Sequence, residues 1–235
     1  EETLSSYTEA GKRGIPLIVI TKGGKFKELA EKDETPLVLL PQEDIPPRMG
    51  AGYMFSALWT LLVKNGVIED ETETVKNLKT LEPDREDSKA KELAEKISNK
   101  TPFVYSSYKW RNLAAFWKIF FNENAKIHSF WNGFPSLAHQ ELAGFNKSDQ
   151  DKFFVLLLKD KNDDGRHLKL MKKLNAVLNN LDYGHEIVEI EGGSQLEKIF
   201  GNYLLAALTT MHLAKMNGVD PAEAGIIEEF KSLKV

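Results

Sequence analysis

Short apolar runs alternate with helical patterns in the N-terminal part of the chain. The helical segments carry apolar residues three or four positions apart, whereas the runs are continuous and rich in β-branched residues. Runs of this kind are typical of strands buried on both faces of a parallel sheet. The predicted elements are a helix over Glu2–Lys12, a strand over Pro16–Ile20, a helix over Phe26–Lys32, a strand over Pro36–Leu40 and an apolar helix over Met49–Val63.

A second α/β pattern occupies the C-terminal part. In its first helix, Trp110, Leu113 and Trp117 begin a buried face with i, i+3, i+7 spacing. A long segment, Leu196–Met216, is apolar nearly all round, which is typical of an interior or interface helix. The other predicted elements are strands over Pro102–Ser106, Phe153–Leu158 and His185–Ile190, a helix striped by Leu170, Leu174, Val177, Leu178 and Leu181 with Lys169, Lys172 and Lys173 towards solvent, and a final helix opened by Asp220-Pro221.

Residues 64–101 differ from both parts, because they carry dense mixed charge and few large apolar residues. Polar helices are predicted near Glu71–Leu81 and Asp87–Ile97, and we interpret them as a solvated connector rather than a core. The sequence thus predicts an α/β protein with two three-layer α-β-α lobes and parallel sheets. The predicted division is a first lobe over 1–66, a charged helical connector over 67–101 and a second lobe over 102–235.

Composition narrows the functional classes. The 235 residues are 42% hydrophobic and 28% charged, which is ordinary for a soluble globular protein. A net charge of −4 gives no reason to expect nucleic acid or an anionic membrane as partner. Cysteine is absent, which excludes disulfides and thiolate chemistry and suits a cytoplasmic location. No apolar stretch reaches the roughly 20 residues that span a bilayer.

Two features concern the start of the chain and the standard motifs. Glu1-Glu2-Thr3-Leu4 is no signal peptide and no initiator methionine precedes it, so we expect the chain to begin inside something longer or to have been trimmed. Dinucleotide-binding, P-loop, nucleophile-elbow and zinc-protease motifs are missing. The five histidines lack metal-ligand spacing, so no metal site is predicted.

Glu123 is the leading candidate for catalysis. It follows a strongly apolar helical run and stands between Asn122 and Asn124. A carboxylate in such a setting is often a proton-transfer group, although a structural carboxylate satisfied at the helix end is an equal alternative. The C-terminal end of a helix disfavours negative charge, and Lys126 is the expected compensation.

His139 lies on a short helix opened by Pro135, with Glu141 nearby, and could move protons near neutral pH. The alternative is an ordinary surface or capping histidine. His212, on the apolar helix, is expected to be a satisfied core residue instead.

Arg48 precedes a helix, where it could hold an oxyanion together with free helix amides. The alternative is a loop arginine paired with Glu43 or Asp44. Lys231, in the final helix, would ordinarily be a solvated lysine.

Several motifs, in order along the chain, resemble the bifunctional phosphoglucose/phosphomannose isomerases, which are built from two sugar-isomerase (SIS) lobes. The most specific are Asn-Glu-Asn-Ala-Lys at 122–126 and His-Gln-Glu at 139–141. The others are Glu-Glu-Thr-Leu-Ser at 1–5, Ile-Thr-Lys-Gly-Gly-Lys at 20–25, Pro-Arg at 47–48 with Gly-Tyr at 52–53, and Gly-Val-Asp-Pro at 218–221 before a last helix.

The resemblance implies an aldose–ketose isomerase. It would interconvert glucose 6-phosphate and mannose 6-phosphate with fructose 6-phosphate through a cis-enediolate. The resemblance also implies that Glu123 is the base serving C1 and C2, and that His139 acts at the ring oxygen with Lys231 as helper. Arg48 would stabilise the enediolate. It further implies no metal or organic cofactor, and a homodimer in which the neighbouring subunit contributes the histidine.

The chain departs from the family pattern in the phosphate half of the site. A serine-rich phosphate-binding loop is expected just upstream of Glu1, so Glu1, Glu2 and Thr3 would form only the edge of that site and the first lobe would be incomplete. Lys22 replaces a serine, and Phe116 replaces a basic residue. We therefore expect this chain alone to be a weak or inactive isomerase. The alternatives are a non-catalytic sugar-phosphate-binding SIS protein and a truncated fragment.

Overall fold

A computed structural model describes residues 2–43 and 45–233. The chain forms two compact units, Glu1–Glu71 and Thr72–Val235. Each has a sheet whose strands are all parallel, and helices connect the strands. The predicted α/β class with parallel sheets is therefore confirmed.

The first unit is a parallel β-α-β segment with a helix before and after it. Its elements are α1 (Glu2–Lys12), β1 (Val19–Thr21), α2 (Gly24–Lys32), β2 (Leu37–Leu39), a 3₁₀ turn (Pro47–Gly50) and α3 (Ala51–Lys64). β1 pairs with β2 so that Val19 lies opposite Leu37. The turn into α2 depends on Gly23 and Gly24, whose φ angles of 152° and 65° suit a residue without a β-carbon.

The strands of the first unit are shorter and less buried than the sequence predicts. Within β1 and β2 only Val19 is buried, whereas Leu39 is 49% exposed and Ile18, just before β1, is 47% exposed. In the part of the chain that the structure describes, β1 pairs with β2 alone. A two-stranded sheet has few neighbours to cover both faces, so the prediction of strands buried on both sides is wrong here.

The second unit is built on a four-stranded parallel sheet with the order β4-β3-β5-β6. Its strands are β3 (Thr101–Ser107), β4 (Phe130–Phe134), β5 (Phe153–Lys159) and β6 (Gly184–Glu189). Its helices are α4 (Thr72–Lys76), α5 (Pro83–Ile97), α6 (Arg111–Glu123), α7 (Leu137–Gln140), α8 (Gly165–Asn180), α9 (Gln195–Asn217) and α10 (Gly225–Ser232). Short 3₁₀ turns span Asn77–Thr80, Tyr108–Trp110, Leu142–Gly144 and Lys147–Asp149.

The core of the second unit lies on the two central strands. Five consecutive residues of β5 are buried, as the apolar run predicts. One cluster packs the sheet against α7 and α8 and includes Tyr105, Leu157 and Leu174. The predicted apolar face of α6 is also buried, and it packs against β3 and α9. The buried residues of α6 are Leu113, Ala114, Trp117, Phe120 and Phe121.

Helix α5 is part of this core, so the prediction of a solvated connector is wrong for this segment. Its buried residues, Ala90, Leu93, Ala94 and Ile97, share one face of the helix. That face packs against α9. The charged residues that dominate the segment occupy the other faces, because alanine lets two helices approach closely without a long apolar stripe.

Strand β4 was not predicted. It is an edge strand whose first two residues, Phe130 and Trp131, are exposed, and Asn132-Gly133 interrupts the apolar pattern. Its pairing with β3 is nevertheless complete, from Phe103 opposite Phe130 to Ser107 opposite Phe134. β4 matters because it places α7 at the carboxyl edge of the sheet.

The C-terminal helices differ from prediction in detail. In α8 the three lysines that were predicted to face solvent are exposed. Met171 is buried in the core, whereas Val177, which was predicted to lie on the apolar stripe, is 39% exposed. Helix α9 begins with a capping box, in which Ser194 and Glu197 bond each other's backbone N–H. The last helix begins at Gly225 rather than Pro221. Asp220 accepts from the backbone N of Ala222 at 2.8 Å, which closes a turn instead of starting a helix.

Among the described residues, the structure contains no helix both long and apolar enough to cross a membrane.

The packing of α5 is tested by replacing Leu93, which is 4% exposed, with alanine. We expect Leu93→Ala to lower the free energy of unfolding by about 2–5 kcal/mol, because it removes buried methyl groups and leaves a cavity. Lys91→Ala, at an exposed position of the same helix, is the matched control and should change it by under about 0.5 kcal/mol. Urea unfolding measures both variants. Equally small effects of the two substitutions would show that α5 contributes little to the core and acts as a connector.

Candidate active site

Glu123 is the last residue of α6 and is half-buried. The helix ends here because the chain turns: Asn124 N still donates to Phe120 O at 2.8 Å, and Lys126 then adopts a left-handed φ of 56°. The buried face of α6 fixes the helix axis on the sheet. The position of Glu123 is therefore set by the packing of the whole helix.

Lys126 stabilises the helix end through backbone carbonyl groups. Its ammonium group donates to the backbone oxygen of Glu123 at 2.6 Å and to the backbone oxygen of Glu223. A cation at helix carbonyls offsets the negative end of the helix dipole. This lysine also ties the segment before α10 to the end of α6.

Helix α9 holds the residues that follow Glu123. Asn124 is fully buried, and its Nδ2 donates to Thr210 Oγ1 at 2.9 Å. Asn217 Nδ2 donates to the backbone oxygen of Ala125 at 3.1 Å. Two side chains of one helix thus fix the backbone just after the candidate base.

The neighbouring amide has an unsatisfied atom. Asn122 Oδ1 is buried and, within residues 2–43 and 45–233, has no hydrogen-bond partner. Leaving a buried acceptor unpaired is unfavourable. An unpaired buried acceptor one residue from a half-buried carboxylate is therefore a candidate contact for a ligand.

His139 lies on α7, directly after β4, and is exposed. A network built on Glu141 anchors this short helix. Glu141 accepts from Tyr105 Oη at 2.5 Å through Oε2 and from Asn132 Nδ2 at 2.5 Å through Oε1. Because Tyr105 lies on β3 and Asn132 on β4, the carboxylate joins the histidine segment to two strands.

The buried tyrosine of this network has a strongly perturbed pKa. Burial, and then the hydrogen bond and the charge of Glu141, raise the pKa of Tyr105 well above its ordinary value of 10.0. A phenol that keeps its proton can keep donating to Glu141 throughout the neutral range. The network is therefore stable at physiological pH.

Glu123 lies towards the amino ends of the strands, and His139 lies towards their carboxyl ends. Helix α6 crosses from the carboxyl end of β3 to the amino end of β4, so Glu123 lies on the amino side. His139 follows the carboxyl end of β4. Five strand residues separate the edges by roughly 16 Å. Within one chain, the two candidates do not form a common site.

The remaining candidates are distributed over both units. Arg48 is half-buried in the 3₁₀ turn that leads into α3, so it does precede a helix. Lys231 is exposed on α10 and pairs with Glu228 at 2.8 Å. Glu2 and Thr3 are exposed in the first turn of α1, whereas Glu1 lies outside the described residues.

Three other residues named in the sequence analysis, His212, Phe116 and Lys22, have the following surroundings. His212 is only partly buried, and its Nε2 lies 2.8 Å from Asp87 Oδ1 of α5, so it joins two helices rather than filling the core. Phe116 packs edge-on against Tyr203 with ring centroids 5.9 Å apart. Lys22 donates to the backbone oxygen of Glu43. Among the residues that the structure describes, no three acidic or histidine side chains cluster as metal ligands.

The sequence did not reveal the residues that hold the candidates in place. Thr210, Asn217, Tyr105 and Asn132 are distant in sequence from the segments they contact. One signal was present, because polar residues inside the otherwise apolar α9 are unexpected unless they find partners.

Comparison with known sequences and structures identifies the class to which this chain belongs. Residues 86–233 match the family model described as "Bacterial phospho-glucose isomerase C-terminal SIS domain". A glucose-6-phosphate isomerase-like protein from Thermus thermophilus has a similar structure, with a TM-score of 0.62 at 21% identity. That match covers 90% of this chain and 75% of the other, and at this identity it shows the fold alone.

More similar sequences narrow the class. The bifunctional phosphoglucose/phosphomannose isomerase of Caldicellulosiruptor bescii is 34% identical over 245 residues, which cover 99% of this chain and 72% of the relative. The enzyme of the same name from Aquifex aeolicus is 33% identical over 234 residues, covering 98% and 71%. The chain belongs to the bifunctional phosphoglucose/phosphomannose isomerase family.

The bond between Asn124 and Thr210 can be tested with two adjacent threonines of α9. Thr209 and Thr210 are both fully buried and both donate to a backbone carbonyl in their own helix, but Thr210 also accepts from Asn124. We expect Thr210→Val to lower the free energy of unfolding by about 1–3 kcal/mol more than Thr209→Val, because it removes the partner of a buried amide. Equal losses in urea unfolding would show that the bond contributes nothing.

The raised pKa of Tyr105 predicts that the free energy of unfolding decreases at alkaline pH. Above the ordinary pKa of 10.0, the unfolded chain releases the Tyr105 proton while the folded chain retains it, so this stabilisation is complete below pH 10 and declines above it. Tyr105→Phe has no such proton. The difference in unfolding free energy between wild type and Tyr105→Phe should therefore shrink between about pH 9 and about pH 11, by up to about 1.4 kcal/mol per pH unit. A difference that stays constant would contradict the raised pKa.

Proposed function

We propose that this chain is an aldose–ketose isomerase that interconverts glucose 6-phosphate and mannose 6-phosphate with fructose 6-phosphate. The observation that carries the proposal is the placement of Glu123. It is half-buried at the end of α6 and is followed by a segment that α9 holds through Asn124 and Ala125. Membership of the isomerase family supplies the substrate class.

Glu123 is the proposed base. Isomerisation moves one proton between C1 and C2 of the open-chain sugar, and a single carboxylate that reaches both carbons is sufficient for it. Such a transfer requires a base held within hydrogen-bond reach of its proton. The fixed backbone around Glu123 meets that need, and the unpaired Asn122 Oδ1 can accept from a sugar hydroxyl.

His139 is the proposed acid and base at the ring oxygen. Because it lies towards the opposite edge of the sheet from Glu123, we propose that it completes the site of a second copy of the chain in a homodimer. Its exposure supports this role, since an exposed imidazole can enter a neighbouring subunit. The Glu141 network fixes the segment that carries it.

Arg48 and Lys231 are proposed to supply positive charge. Arg48 would stabilise the enediolate oxygen, which gains negative charge as the proton leaves C2. Lys231 would assist ring opening, and the contact between Lys126 and Glu223 supports this by linking the approach to α10 with the Glu123 segment. For Lys231 to assist ring opening, its ion pair with Glu228 must break.

Glu1, Glu2 and Thr3 are proposed to border the substrate phosphate, and the start of α1 supports this because the backbone amides of a first helical turn favour an anion. We also propose a cytoplasmic location, where phosphorylated hexoses are made and used.

The role of Glu123 is tested by Glu123→Gln, which keeps size and hydrogen bonding but removes the base. We expect kcat for fructose 6-phosphate isomerisation to fall about 10²–10⁴-fold, with KM changed little, because the base acts in the transition state. Glu95→Gln, an exposed carboxylate of α5, is the control and should retain full activity. A variant of Glu123 that keeps wild-type kcat in a coupled assay would exclude it as the base.

A mixing experiment tests whether the sites are shared between subunits. Glu123→Gln and His139→Gln are each expected to be inactive as homodimers. After subunits exchange, half of the dimers are mixed and each carries one site with both native residues, so activity should return to about a quarter of wild type. If the mixture stays inactive under conditions where labelled subunits demonstrably exchange, Glu123 and His139 do not act across an interface.

A further inference from the structure

The strand order of the second unit creates a crevice at the carboxyl edge of its sheet. After β3 the chain forms β4 on one side, and it later places β5 on the other side of β3. In open parallel α/β sheets, ligands bind outside the carboxyl ends of the strands where the order reverses in this way. That point lies between the ends of β3 and β5. Glu123 and His139 do not line the cavity there.

The cavity at this point has a volume of about 130 Å³. Lys109 and Trp110 line it just after β3, Asp160 lines it just after β5, and Lys198 reaches it from α9. The volume is far more than one water needs, and less than the roughly 300–1,000 Å³ of a typical drug-sized site. It suits a molecule of about three carbons with one attached group.

Two polar atoms of the cavity residues are buried and, in residues 2–43 and 45–233, have no hydrogen-bond partner. They are Trp110 Nε1, on a residue that is 4% exposed, and Asp160 Oδ2, on a residue that is fully buried. The other oxygen of Asp160 accepts from Lys198 Nζ at 2.7 Å and from Asn162 N at 3.0 Å. Because unpaired buried groups are costly, an unpaired donor and an unpaired acceptor on residues that line one cavity are candidates for pairing with a ligand.

Hydroxyl groups suit these two atoms, since a hydroxyl can donate to a carboxylate and accept from an indole N–H. The charges indicate the rest of the ligand. Lys109 Nζ lies 3.7 Å from Asp160 Oδ2, beyond hydrogen-bond distance, and is half-exposed. Three backbone amides near the start of α9 are already paired, because Glu197 accepts from Gly193 N and Ser194 N, and Ser194 Oγ accepts from Glu197 N. An anionic group on the ligand would therefore pair with Lys109.

We propose that this crevice is a second ligand site, which binds a small hydroxylated anion of the class of glycerol 3-phosphate. The hydroxyl donates to Asp160 and accepts from Trp110, and the phosphate pairs with Lys109. The site lies at the carboxyl edge of the sheet, whereas Glu123 lies towards the amino edge. A ligand there can occupy the protein without displacing the isomerase substrate from Glu123.

The indole N–H of Trp110 is a direct reporter of this site. In a ¹H–¹⁵N spectrum, its signal is assigned by its loss in Trp110→Phe, and glycerol 3-phosphate is then titrated into the wild-type protein. We expect a saturable shift of that signal, and about tenfold weaker binding in Lys109→Gln, because a charge-assisted contact is lost. Lys172→Gln, an exposed lysine of α8 outside the cavity, is the matched control and should bind as wild type does.

Further titrations test which part of the ligand is recognised and whether this site is independent of Glu123. Glycerol alone and inorganic phosphate alone should each bind about tenfold or more weakly, since each satisfies only part of the site. Glu123→Gln should leave the titration unchanged. The proposal is overturned if the Trp110 signal shows no saturable shift, if Lys109→Gln and Lys172→Gln bind equally, or if Glu123→Gln abolishes the shift.

Discussion

The buried hydrogen bond between Asn124 and Thr210 is the interaction on which the proposed active site depends. Both residues are fully buried, so neither can exchange the bond for one with water. Together with the bond from Asn217 to Ala125, it fixes the chain just after Glu123. Helix ends that lack such contacts tend to fray. The polar side chains of the apolar α9 thus hold the segment that follows the proposed base.

The same packing explains why a charged residue is tolerated at this helix end. Lys126 donates to the backbone oxygen of Glu123, so the negative end of the α6 dipole is offset by a cation that contacts the backbone. The Glu123 side chain is then left half-buried at the protein surface. This arrangement separates two tasks that the sequence alone could not distinguish, namely stabilising the helix and presenting the carboxylate.

The elements that the sequence predicted best are those whose burial follows a simple period. The continuous run of β5 and the apolar face of α6 are examples. Helix α5 was misread because two of its four buried residues are alanines, which carry little hydrophobic signal beside many charges. β4 was missed because Asn132-Gly133 interrupts it, and because pairing with β3 rather than side-chain pattern defines it.

Individual candidates for the site were visible in sequence, but their surroundings were not. Asn122, Glu123 and His139 stand in short recognisable motifs. Their supports, such as Thr210 for Asn124 and Tyr105 for Glu141, come from elements far away in the chain, so spacing alone cannot predict them. The placement of Glu123 and His139 towards opposite edges likewise follows from the parallel pairing of β3 and β4. This placement is the geometric reason to expect a site that takes Glu123 from one subunit and His139 from the other.

The most direct test of the central claim is proton exchange at the reacting carbon. Isomerisation of fructose 6-phosphate in deuterated water should place deuterium at C2 of the glucose 6-phosphate product, because a base that removes and returns the proton exchanges with solvent. In Glu123→Gln, both deuterium incorporation and product formation should fall together, by about the 10²–10⁴-fold expected for loss of a general base. Exchange at the wild-type rate in Glu123→Gln would contradict the account.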